Sequence, residues 1–283
     1  MVTVQAEMTF LEPWPSTVGK ESPYLRHITT PSYPSTNFKN ETHVVSITDA
    51  RSNASSFTLD RNAFAFRNTE PLSAGLVEAI REKKGEEVER ELYPTVERLV
   101  KKWTGAKKVV VFDHGYRKRD PEIDMQGGKN AYARGQPATV VHCDQSEWGG
   151  KRRVEKHTGE EAQELLKGRC QIINVWRPLT APVRDWPLAV MDYSTLSASH
   201  IHPCSLYSKE HDLQGQTVGI NHDEEQKWYY LSEQRPDEVT LVKIWDSKVN
   251  AARLCAHCAF LHPDARAEDV PRESVEVRCL VFH

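Results

Sequence analysis

No run of about 18 apolar residues occurs, so no segment is long enough to cross a bilayer as a helix. Neither sign of charge is in excess. In 283 residues, 37 Lys and Arg stand against 40 Asp and Glu, a net charge of -3. That balance gives no electrostatic reason to expect nucleic acid or an anionic membrane as partner. The opening stretch MVTVQAEMTFLEPWPS has no basic region leading into an apolar core, so no secretory signal and a cytoplasmic location are expected. The sequons at Asn40 and Asn53 are accordingly expected to carry no glycan. Cysteine is sparse and scattered: Cys143, Cys170, Cys204, Cys255, Cys258 and Cys279. Without an export signal these are expected to be free, buried thiols. Cys255-Ala256-His257-Cys258 has CxxC spacing but no second CxxC, which makes it a weak zinc or redox signal. There is no internal repeat and no low-complexity tract.

The composition that is present, 39% hydrophobic and 27% charged, is that of a globular chain able to bury a core. The first seventy residues are rich in Pro, Ser, Thr and Asn, with strand-like alternation in HVVSITDA and SSFTLDRNAFAFRN. SAGLVEAIREKKGEEVERELYPTVERLVKKW follows, apolar at Leu76, Ile80, Val88, Leu92, Val96, Leu99 and Val100, roughly the period of a helix. Ser73 is placed to cap it, and Gly85 and Pro94 predict division into two or three segments. Beyond Gly105 the pattern changes to strands: KKVVVFDHGYR, ATVVHCDQS, CQIINVWRPL, WPLAVMDY, QKWYYLSE, EVTLVKIWDS, ARLCAHCAFLHP and ESVEVRCLVF. A loop, KRDPEIDMQGGKNAYARGQP, and a short helix, TGEEAQELLKG, interrupt them. Helices early and strands late predict a mainly β chain with flanking helices, a sandwich or barrel in one domain over 1–283. Residues 1–104 are expected to wrap a core formed by 105–283.

Chemistry enters at VVHCDQS. In a strand His142 and Asp144 point to one face while Cys143 points to the other. An imidazole and a carboxylate on one face can grip one metal ion, and a third ligand must come from elsewhere. Two His and one carboxylate are the facial triad of non-haem Fe(II) oxygenases, which leaves three positions open. The histidines downstream are His157, His200, His202, His211, His222, His257, His262 and His283. His257 lies in a strand-like segment, ahead of Arg272-Glu273-Ser274 at the start of the last strand. A guanidinium with a hydroxyl beside it on the same face suits the far carboxylate of a 2-oxo diacid. Arg278 has the same strand parity as Arg272, and Arg177 in NVWRPL is a third candidate for the cosubstrate or the substrate. Asp113, His114 and Arg117 fall at a strand end, where they line a pocket mouth or cap a loop. Trp176, Trp186, Trp228 and Trp245 read as core.

The order His142-x-Asp144, His257, Arg272-x-Ser274 resembles that of Fe(II)/2-oxoglutarate-dependent dioxygenases. HCDQS, NVWRPLTAPVRDWPLAVMDY, KWYYLSEQRPDEVTLVKIWDS, AHCAF, PRESVEVRCLVF and VVVFDHGYRKR look like the branch of AsaB-like hydroxylase/desaturases, GA4-desaturase-like and CmcJ-like proteins. The resemblance covers about residues 105 to 283 well and the first hundred loosely. It implies a double-stranded β-helix, a cupin-like jelly-roll core. It implies Fe(II) held by His142, Asp144 and His257, with 2-oxoglutarate as cosubstrate held by Arg272 and Ser274. Dioxygen is then used to hydroxylate, desaturate or cyclise a small secondary metabolite such as a terpenoid, polyketide or modified peptide. Two other outcomes fit the same sequence: a metal-independent isomerase, cyclase or dehydratase on this fold, and a non-catalytic metabolite-binding accessory protein.

Overall fold

The computed structural model describes residues 2–14, 22–26, 34–130, 133–208 and 212–283. Among these residues fourteen strands form two sheets. In chain order they are β1 (Thr3–Leu11), β2 (Tyr24–Arg26), β3 (Asn40–Asp49), β4 (Phe64–Asn68), β5 (Lys108–Lys118), β6 (His142–Cys143), β7 (Cys170–Pro178), β8 (Leu188–Met191), β9 (Ile201–Tyr207), β10 (Leu213–Ile220), β11 (Trp228–Tyr230), β12 (Glu238–Asp246), β13 (His257–Ala259) and β14 (Glu273–Phe282). The larger sheet runs β1-β3-β11-β8-β13-β6-β10-β9-β2, with parallel pairing only where β11 meets β3 and β2 meets β9. The smaller runs β4-β12-β7-β14-β5 and is antiparallel throughout. Between them lies a core that includes Phe10, Ile47, Phe64, Trp176, Val190, Trp228, Val242 and Leu280. This is the mainly β jelly-roll with flanking helices that the resemblance implied.

The smaller sheet is buried on both faces. Ile173, Val175, Leu241, Val277 and Val281 pack beneath the helices Ala74–Arg81 and Gly85–Thr104, against Leu76, Ile80, Val88, Leu92, Val96 and Val100. That double burial is why CQIINVWRP and EVTLVKIWD are not cleanly alternating. Ser73 caps the first helix, accepting from the Leu76 N–H at 3.2 Å. The expected break at Pro94 does not occur. Pro94 sits within the second helix, whose Leu92 and Val96 are buried on either side of it, and this packing outweighs the lost backbone hydrogen bond.

One helix is an addition and three local expectations are corrected. The helix Glu147–Thr158 was hidden by Gly149 and Gly150, both poor helix formers. Gly150 is needed there, because a Cβ would lie 2.4 Å from the Trp245 ring. The strand expected over 138–146 shrinks to His142–Cys143, and the one over 252–263 to His257–Ala259. In SSFTLDRNAFAFRN only β4 is strand; a short helix, Leu59–Asn62, precedes it. Strands β1, β2, β9 and β10 are additions. The N-terminal β1 pairs along its whole length with β3, so the first hundred residues supply strands to both sheets. All six cysteines are free and buried. Among the described residues no helix is long and apolar enough to cross a membrane.

Candidate functional site

β6 and β13 are neighbours in the larger sheet, and His142 is the register partner of His257. Asp144 follows directly after β6. His142 Nε2 lies 3.3 Å and His257 Nε2 3.8 Å from Asp144 Oδ1, and one donor atom from each residue falls within 4.8 Å of the others. His142 Nδ1 is 2.8 Å from Val140 O, and His257 Nδ1 is 3.0 Å from Cys255 O. A carbonyl only accepts, so both Nδ1 atoms carry a proton and both Nε2 atoms are turned toward Asp144 Oδ1. The alternation inferred at VVHCDQS holds: Cys143 is packed in the core and its thiol donates to Ile244 O.

Asp144 is held from the opposite sheet. Its Oδ2 accepts from Asn174 Nδ2 at 2.8 Å and faces Arg278 Nε at 3.5 Å. Burial works to raise the Asp144 carboxyl, but the His142 hydrogen bond and the Arg278 and His257 charges outweigh it and hold it well below the usual carboxylate range. Burial pulls His142 down, and the hydrogen bond to Asp144 more than restores it. His257 is lowered by burial and then by the neighbouring His142.

β14 turns Ser274, Glu276 and Arg278 toward this centre, level with Pro178, Trp176 and Asn174 on β7. Just ahead of them, Arg272 is 4% exposed. Its Nη1 donates to Trp186 O at 2.8 Å, its Nε makes a long 3.4 Å contact to Ser274 Oγ, and the guanidinium lies over the Trp176 ring. Among the described residues no carboxylate forms an ion pair with it, and burial pushes its pKa down to about 10. Burying a cation without a counter-ion costs several kcal/mol. A ligand carboxylate would remove that cost. Arg272, Ser274 and Trp176 line the same small cavity, about 30 Å³, as His142, Asp144 and His257.

The three candidate arginines separate clearly. Arg278 is spoken for: Glu276 lies 2.7 Å and Asp113 2.8 Å away, besides Asp144. Arg177 pairs in register with Val275, so it faces the helices, not the cavity. There its Nη2 donates to Glu70 O and Pro236 O. Its expected place in the cosubstrate site is therefore corrected: adjacent residues of a strand point to opposite faces, and Trp176 occupies the inner one.

Arg117 reaches the site through a β-bulge. β5 skips Phe112 between the pairs Arg278–Asp113 and Cys279–Val111. Before the bulge Val109 and Val111 face the helices; after it Asp113, Gly115 and Arg117 face inward with Arg278, Glu276 and Ser274. His114 turns outward instead, onto the Tyr93 hydroxyl at 2.9 Å. A second cavity of about 550 Å³ opens beside His142 and shares Arg117 and Gly115 with the first.

The remaining histidines stand apart from this centre. His157 lies against Phe112, His200 faces Asp223, His202 contacts Asn221, His222 stacks on His43, His262 meets Tyr230 and His283 meets Gln171. His211 lies outside the described residues. Asn174 and Glu276 were missed. The signal for Asn174 was a lone amide in an otherwise apolar strand segment, a residue that is buried only with a partner.

Two imidazole nitrogens and one carboxylate oxygen within 4.8 Å of one another are a donor set suited to Fe(II). Comparisons with known proteins agree. The family model described as Oxidoreductase/YMDC permease-like domain matches residues 8–282. Aspirochlorine biosynthesis protein N of Aspergillus oryzae is 61% identical over 140 residues, which are 49% of this chain and 59% of that protein. The Fe(II)/2-oxoglutarate-dependent dioxygenase nvfI of Aspergillus novofumigatus is 40% identical over 278 residues, covering 98% of this chain and 96% of that one. A solved structure of the iron and alpha-ketoglutarate-dependent endoperoxidase NvfI superposes with a TM-score of 0.89 at 39% identity, over 100% of this chain and 98% of the other.

Proposed function

This chain belongs to the Fe(II)/2-oxoglutarate-dependent dioxygenases, and from that membership we propose that His142, Asp144 and His257 hold the iron while Arg272 and Ser274 hold the distal carboxylate of 2-oxoglutarate. The observation that carries the assignment is the buried, unpaired Arg272 guanidinium on the same cavity as three convergent donor atoms. When bound, the ferrous ion with 2-oxoglutarate supplies the activation of dioxygen, with succinate and carbon dioxide released. The chain's own share is placement. The Val140 and Cys255 carbonyls fix both imidazoles with Nε2 inward, Asn174 and Arg278 orient the Asp144 carboxylate, and Trp176 and Trp186 keep the arginine dry and directed. The larger cavity then presents one C–H bond of a small molecule to that centre.

Hydroxylation or desaturation of a secondary metabolite, a terpenoid, polyketide or modified peptide, is the reaction class we assign. Six free, buried thiols support a reducing, cytoplasmic setting. The contribution of residues 1–104 to both sheets supports one folding unit over 1–283. A decayed or metal-independent site would have been expected to lose at least one of the three donors. The test is anaerobic purification, reconstitution with Fe(II), and measurement of bound iron and of succinate formed from 2-oxoglutarate. His142→Ala and Asp144→Ala are expected to lose both; unchanged iron affinity in both variants rejects the triad.

A further inference from the structure

The larger cavity, about 550 Å³, has an apolar body and an uneven charge. Leu11, Leu25, Phe38, Val140, Leu206 and Val218 line it, and among its described lining residues there is no Asp or Glu. The arginines at its wall are Arg117, Arg134 and Arg278. Arg278 is neutralised by Glu276 and Asp113. Arg134 is exposed at the rim. Arg117 is half-buried at the junction of the two cavities, anchored by one Nη1 hydrogen bond to Gln136 O at 2.5 Å, with no ion pair among the described residues.

We propose that the substrate is an amphipathic monocarboxylate, an apolar skeleton bearing one carboxylate, and that Arg117 is the specificity-determining residue that reads that group. The inference rests on the oxygenase reading above and names the substrate class of the same site. A guanidinium with one arm fixed presents its remaining N–H groups in a planar fork that fits a carboxylate better than a neutral ester or alcohol. Held there, the acid group sits at the cavity junction beside His142 and sets which carbon of the skeleton faces the metal.

The experiment uses the whole protein loaded with Mn(II) and 2-oxoglutarate under anaerobic conditions, so that nothing turns over and the metal positions are filled. Flexible probes that adapt to any apolar cavity are titrated by calorimetry as matched pairs: decanoate, dodecanoate and 4-phenylbutyrate, each against its methyl ester. The acids are expected to bind about tenfold more tightly than the esters, the size of a charge-assisted hydrogen bond. The preference is expected to shrink with added salt in the unaltered protein, a reading that needs no variant. Arg117→Met is expected to erase the preference while ester binding stays; Arg117→Lys is expected to keep part of it. Equal affinity of every acid and its ester, including no binding by either, overturns the proposal. So does a tenfold loss of 2-oxoglutarate affinity in Arg117→Met, which would make Arg117 a cosubstrate ligand. Failure of the unaltered protein to bind Mn(II) or 2-oxoglutarate is read in the same titrations and sinks the oxygenase assignment instead.

Discussion

Two groups of charged side chains are buried at different places along β7, and they are finished differently. Near its start, Lys243 has Nζ within 2.6 Å of Asp246 Oδ2, 2.9 Å of Ala252 O and 3.3 Å of Asp60 Oδ1, a partner for each of its three protons. Asp246 also accepts from Arg169, Gln171 and the Lys248 N–H. Farther along, Asp144 is anchored as firmly, yet among the described residues His257 Nε2 makes no hydrogen bond and the Arg272 charge has no counter-ion. Low exposure is common to both groups. What separates a structural cluster from a binding site is whether the polar groups are satisfied by the chain itself.

The contrast can be broken most sharply at its two aspartates. Asp246→Ala leaves Lys243 buried without its main counter-ion and is expected to cost roughly 3–5 kcal/mol in urea unfolding. Asp144→Ala leaves Arg278 paired with Glu276 and Asp113, so it is expected to cost much less stability while abolishing iron binding and turnover. Equal destabilisation of the two would erase the distinction.

A second comparison sets arginine against arginine. Arg272→Met is expected to raise the 2-oxoglutarate dissociation constant on the order of a hundredfold, while the ligand-free protein is no less stable, because an unpaired buried charge has gone. Arg177→Met is expected to leave that constant unchanged and to lose about 1–2 kcal/mol of stability with its bonds to the Glu70 and Pro236 carbonyls. Calorimetry with 2-oxoglutarate and thermal unfolding of both variants measure the pair.

The smallest expected effect is on acid stability. The Arg169 hydrogen bond holds the Asp60 carboxyl down to about 2, and the Arg81 hydrogen bond does the same for Glu273. A carboxyl with a lowered folded-state pKa stabilises the fold fully above its unfolded pKa, near 4, and loses that contribution as pH falls toward 2. Unfolding followed between pH 5 and pH 2 is expected to show a loss that is reduced in Glu273→Gln, since the amide has no such titration.

Legibility followed locality. His142 and Asp144 were readable because their shared face depends only on strand alternation, and Arg272 with Ser274 for the same reason. Arg177 was misplaced because β7 is buried on both faces, so no polar side marks which face holds the site. Arg117 was readable as a strand-end residue that lines a pocket mouth or caps a loop, but the choice between the two was not, because the bulge at Phe112 reverses the parity of β5. The helix after Ser146 was obscured by glycines whose purpose is the approach of Trp245 from another strand.

From the chain of residues alone came the donor types, their spacing, the parity within each strand and the family that this order resembles. All of these are properties of neighbours in sequence, governed by local geometry. Which arginine keeps an unneutralised charge, which face of a doubly buried strand meets the metal centre, and where the apolar cavity opens were decided only by folding. Each of those depends on partners delivered by distant strands, and no local pattern encodes which carboxylate will arrive beside which cation.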